Sequence, residues 1–70
     1  MKVRLIDLEP GSLFEFNGTF ALKTEYRTDS GATEAYIVGS GEMFWGGTMN
    51  YREQNELMVR PIDSKVLEVN

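Results

Sequence analysis

Asn17-Gly18 lies between two runs that mix large apolar and polar residues, Leu13-Phe14-Glu15-Phe16 and Thr19-Phe20-Ala21-Leu22. A two-residue type I′ turn needs φ > 0 at both central positions, and Asn-Gly is the pair that supplies it at least cost. The turn dictates a register. Phe16 stands opposite Thr19, Glu15 opposite Phe20, Phe14 opposite Ala21, and Leu13 opposite Leu22. Side chains alternate along a strand, so one face carries Leu13, Glu15, Phe20 and Leu22, continuing to Thr24 and Tyr26. The other carries Phe14, Phe16, Ala21, Lys23 and Glu25. Both faces are apolar near the turn. A single layer of a 70-residue chain cannot cover both. Burying each large apolar side chain is worth about 1.5–3 kcal/mol. The expectation is a symmetric homo-oligomer, most simply a dimer.

The rest of the chain supplies further short strands. Val3 to Ile6 is β-prone, and Pro10-Gly11 turns the chain into the hairpin. Thr28-Asp29-Ser30-Gly31 is a second turn, with Gly31 placed for positive φ. Residues 34–38 make a third hairpin-connected strand, and Gly39-Ser40-Gly41 turns again into a fourth over 42–45. Residues 48–56 have two readings. Asn50 with Glu53 three positions later matches a capping box and would start a short helix. The poor apolar periodicity favours a strand and loop instead, pairing 49–51 with 57–59. Pro61 sits at a strand end or edge, and 66–69 would add a last short strand. The class is all-β, a single domain over 1–70 with about five to six short strands. It would be a small antiparallel barrel or a strongly bent meander, SH3-like or OB-like in size.

Composition narrows the function. A chain this short buries only about 60% of its unfolded surface. It has no cysteine and no histidine, so neither disulfide nor zinc can staple it. The same absence removes the usual general base, thiol nucleophile and zinc ligand. The serines and lysines show no nucleophile spacing, so the expectation is a protein that is not an enzyme, with no cofactor. The net charge is −4, and the seven bases are scattered. A phosphate backbone calls for clustered cations, which disfavours general nucleic-acid binding. No apolar run is long enough to span a membrane and none resembles a secretion leader, so the expected location is the cytoplasm.

The stretch 39–47, Gly-Ser-Gly-Glu-Met-Phe-Trp-Gly-Gly, packs four glycines, the only tryptophan and a lone carboxylate into nine residues. Gly39-Ser40-Gly41 starts like a dinucleotide fingerprint. Phe44 occupies the third glycine position, however, and a strand is expected where a helix should follow. Trp45 has two readings, core filler or exposed rim of a site, and the flanking glycines suit the rim. Lys23, Tyr26 and Arg27 likewise have two. They form the outer side of an edge strand, or they stand beside the aromatic loop, where arginine and aromatic rings hold nucleobases and phosphates. Both readings leave Lys23 and Arg27 solvent-accessible. The candidate binding residues are Lys23, Tyr26, Arg27, Glu42, Phe44, Trp45 and Arg52.

The strings Ala-Leu-Lys-Thr-Glu-Tyr-Arg (21–27), Gly-Ser-Gly-Glu-Met-Phe-Trp-Gly-Gly (39–47) and Asp-Leu-Glu-Pro-Gly-Ser-Leu-Phe (7–14) resemble short uncharacterised proteins encoded by phages and prophages. The resemblance brings no catalytic residues. It implies an accessory phage protein working in the host cytoplasm, of a class that includes inhibitors and small-molecule sponges directed against host defence. The expected function is non-catalytic capture of a nucleotide-like ligand or a host protein. The alternative is a small structural or assembly component of a virion or other homo-oligomer.

Overall fold

The computed structural model describes residues 1–62. Five strands form one sheet: β1 (Val3–Arg4), β2 (Leu13–Phe16), β3 (Thr19–Arg27), β4 (Thr33–Ile37) and β5 (Met58–Pro61), with one helix, α1 (Tyr51–Glu56), between β4 and β5. The order across the sheet is β1-β5-β2-β3-β4, and every pairing is antiparallel. The sheet stays open, with β1 and β4 at its edges, so the all-β class holds while the closed barrel does not. Among the described residues no helix is long and apolar enough to cross a membrane. The expected strand at 66–69 lies outside the described residues.

The hairpin has the register that its turn dictates, from Phe16 opposite Thr19 to Leu13 opposite Leu22. Asn17 and Gly18 both take positive φ, 49° and 83°. No atom comes within 4 Å of a Cβ built on Gly18, so a side chain there meets backbone strain and nothing else. Gly18→Val is therefore expected to cost about 1–2 kcal/mol, the penalty for a left-handed L-residue. An unchanged urea midpoint would contradict that assignment.

The inner face of the sheet holds the core. Phe14, Ala21, Ala35 and Val59 are buried on it, and Leu5 and Phe44 close over them. Small residues on β3 and β4 make room for the rings. Phe44 meets Phe14 edge-to-face at 5.1 Å between centroids and Phe16 at 5.8 Å. Leu5 belongs to a 3-10 turn (Leu5–Asp7), which cuts the expected first strand to two residues.

Two expectations need correction. The fourth strand over 42–45 reduces to a single bridge, Tyr36 with Met43. Its backbone still lies along β4, since Ile37 N–H donates to the Glu42 carbonyl at 2.8 Å and Phe44 N–H to that of Ala35 at 2.8 Å. A turn closed by Thr48 N–H on the Trp45 carbonyl then ends it. This short strap covers an edge that would otherwise be an open template for pairing.

The second correction is the segment 48–56, where the helix displaces the strand pairing of 49–51 with 57–59. Asn50 caps α1 by accepting from the Glu53 N–H at 2.9 Å, and the Glu53 carboxylate accepts from Met49 N–H at 2.9 Å. The helix is fastened by buried amides rather than by an apolar stripe. Gln54 Nε2 donates to the Phe44 carbonyl at 2.7 Å. Asn55 Oδ1 accepts from both the N–H and the hydroxyl of Thr33, and its Nδ2 donates to the Gly31 carbonyl at 3.1 Å.

Candidate functional site

The pleat that buries Phe14 and Ala21 turns Leu13, Phe20 and Leu22 to the opposite side of the sheet. No described element covers that side. Antiparallel register arranges its residues in cross-strand rows. One row is Ile62, Leu13, Leu22 and Tyr36: Leu13 pairs with Leu22, Leu22 with Tyr36, and Ile62 N–H donates to the Leu13 carbonyl. The neighbouring row is Arg60, Glu15, Phe20 and Val38. Phe20, Leu22, Tyr36 and Val38 are 46%, 45%, 40% and 54% exposed. Beside Tyr36 runs an open groove of about 740 Å³ whose lining includes Leu13, Phe20, Leu22, Ile37, Val38 and Ile62. Single exposed apolar residues are ordinary on a protein surface, but a contiguous patch marks an interaction site.

The carboxylates that border this patch are paired or hydrogen-bonded. Glu15 accepts from Gly18 N–H at 2.6 Å through one oxygen and from Arg60 Nε at 3.0 Å through the other. The Gly18 N–H chiefly, and Arg60 next, hold the Glu15 carboxyl below its ordinary value of 4.5. Tyr36 Oη donates to Glu34 at 2.9 Å, and that bond holds the phenol proton above its ordinary range.

The Glu15 shift fixes a sign for the acid limb of stability. A carboxyl more acidic in the folded chain contributes fully above its unfolded value, and the contribution is lost as pH falls through the folded one. Unfolding midpoints should hold down to about pH 4.5 and then fall. Glu15→Gln should fall less below that point, although Asp7, similarly held down by Arg4, keeps part of the slope. Superimposable midpoint–pH curves for the two proteins would refute the assignment.

The seven residues singled out from sequence do not converge. Lys23, Tyr26 and Arg27 share a polar cleft of about 110 Å³ with Pro10, Thr24 and Thr33. Tyr26 and Arg27 are exposed there, but Lys23 is not, contrary to its expected accessibility. It is 7% exposed, and its ammonium donates to the carbonyls of Ile6 and Leu8, tying the 3-10 turn to β3. Burial, with Arg27 adding to it, pushes its pKa down. Phe44 is a core ring, while its neighbour Trp45 is 43% exposed. Glu42 is exposed on the strap, and Arg52 is exposed on α1.

The outer-face residues were visible as an apolar face of the hairpin but not as a site. Tyr36, Val38 and Ile62 join them only through the order of the strands. No family model, no curated protein and no solved structure matches this chain.

Proposed function

We propose that this is a non-catalytic binding protein whose working surface is the outer face of its sheet, and that the face meets another protein surface. The observation that carries the reading is the contiguous apolar patch formed by Leu13, Phe20, Leu22 and Val38, with its groove. A nucleotide needs free cations and polar donors, whereas this face offers apolar side chains beside a guanidinium already paired with Glu15. Lys23, one of the two cations lining the candidate polar cleft, donates to the backbone carbonyls of Ile6 and Leu8, which leaves Arg27 beside the acidic Glu25. A flat apolar face suits a protein surface, which gains from area and shape. The resemblance to phage-encoded accessory proteins fits both a capture role and an assembly role for such a face.

The test titrates the purified chain with a panel of nucleotides while following Trp45 fluorescence and the chemical shifts of Tyr26 and Arg27. The expected result is no saturable response. A saturable response that Arg27→Ala abolishes would replace this reading with nucleotide capture.

A further inference from the structure

We infer that the outer face is the interface of a two-fold homodimer, with the row Ile62–Leu13–Leu22–Tyr36 packed against the same row of a second copy. The inference rests on the reading of that face as a protein contact surface and names its partner. A closed two-fold interface must be self-complementary, because each patch meets itself in reverse. A two-fold axis running along the strands reverses the row. Leu13 then meets the second copy's Leu22, and Ile62 meets its Tyr36, so each contact in the row is apolar against apolar. In the neighbouring row Phe20 meets Glu15 with its bound Arg60, and a planar guanidinium stacks on an aromatic ring. Val38 covers the other side of the same pair.

Charge selects the same partner. The chain carries −4 overall, so two copies repel unless the surfaces that meet are neutral. The apolar row of this face carries no charged side chain, and in the neighbouring row Glu15 is matched by Arg60; Glu34, hydrogen-bonded by Tyr36 but still anionic, is the charge left at its border. A strongly basic partner would find no free carboxylate in the apolar row.

Area sets the strength. Four strands at about 4.8 Å spacing, with outward residues every 6.8 Å or so, give each copy a patch on the order of a few hundred Å². Two such patches, taken as flat, bury on the order of 500 Å² in total before side-chain relief is added, the size of a weak, transient contact. The dimer is therefore expected to have a micromolar dissociation constant.

The experiment is sedimentation of the full chain from about 1 to 300 µM, with a hydrophobic dye, anilinonaphthalene sulfonate, read on the same samples. The expected result is a concentration-dependent passage from the 8.0 kDa monomer to the dimer. Leu22→Glu should shift the midpoint at least tenfold higher while circular dichroism stays unchanged. Tyr51→Glu, off this face, should leave the midpoint where it was. A chain that stays monomeric at 300 µM overturns the dimer whatever the variants do. If that monomer binds the dye, the face is free, and the contact-surface reading survives with a different partner. If it does not, the face is already covered in the monomer, and the reading fails as well. A dimer that Leu22→Glu, still folded, does not weaken also overturns the inference.

Discussion

Phe44→Ala is expected to remove most of the protein's stability, while Trp45→Ala, one position along, removes less. Phe44 is 3% exposed and is the only ring that touches both Phe14 and Phe16. It hangs from the strap and closes the inner face of the sheet, where Leu57 also packs against the core. Truncating a buried phenylalanine costs about 3–5 kcal/mol, part lost transfer and part residual cavity. A small domain has about 5 kcal/mol or somewhat more to lose. The strap cannot easily collapse inward to heal the gap. A Cβ on Gly46 would already lie 2.5 Å from Leu57 Cδ2 and 2.9 Å from the Phe44 ring, at a φ of +58°. Backbone and ring are therefore packed at contact. Trp45 is 43% exposed and leaves no enclosed cavity, so truncating it should cost about 2–3 kcal/mol, below the Phe44 loss. Thermal melts of the two variants check the contrast. Equal losses, or a larger loss at Trp45, would mean that the core has been assigned to the wrong aromatic residue.

Asn55→Leu carries the second large effect, about 1–3 kcal/mol, the cost of leaving a buried polar group unpaired. The substitution keeps the size of the side chain and adds apolar surface, so a purely hydrophobic account of α1 predicts a gain. The geometry predicts a loss. Asn55 satisfies the Thr33 N–H at 2.8 Å, its hydroxyl at 2.7 Å, and the Gly31 carbonyl at 3.1 Å. Thr33 is 2% exposed, so water does not readily replace these bonds. Gln54→Leu should behave similarly through the Phe44 carbonyl. Urea midpoints decide the matter, and a midpoint raised by Asn55→Leu would show that the helix is held by something else.

Those two amides also explain which parts of the fold were legible beforehand. The hairpin was fully legible, because Asn17-Gly18 is a local instruction and period-2 patterning carries its register on from there. The helix was legible only at its cap. Asn50 and Glu53 announced a start, but no apolar stripe followed, since the residues facing the core are Gln54 and Asn55. A search for apolar periodicity passes over a helix held by polar side chains. The barrel failed for a related reason. Short strands and frequent turns describe an open sheet as well as a closed one, and the β5-β2 pairing that orders the sheet joins segments far apart in sequence.

The candidate site was legible in part. Trp45 is exposed and is not the core filler, and it lines neither the outer groove nor the polar cleft. Lys23 was misplaced because a lysine in an alternating strand ordinarily marks the solvent side. Here its inward position is made tolerable by two carbonyls of a 3-10 turn that the sequence did not reveal. The outer face was half visible, as Leu13, Phe20 and Leu22. Only the strand order adds Tyr36, Val38 and Ile62 and makes it a surface.

The central claim is that this face, not the strap or the helix, is where the protein meets a partner surface. Hydroxyl-radical labelling of the full chain read by mass spectrometry tests it most directly, because exposed reporters lie both on the face and off it. At high protein concentration Phe20, Leu22 and Tyr36 should be protected, and dilution to about 1 µM, below the expected micromolar constant, should restore their labelling several-fold. Met49, 89% exposed, and Trp45 and Tyr51 should label equally at both concentrations. Protection that falls on Met49, Trp45 and Tyr51 while Phe20 and Leu22 stay fully labelled would contradict the account.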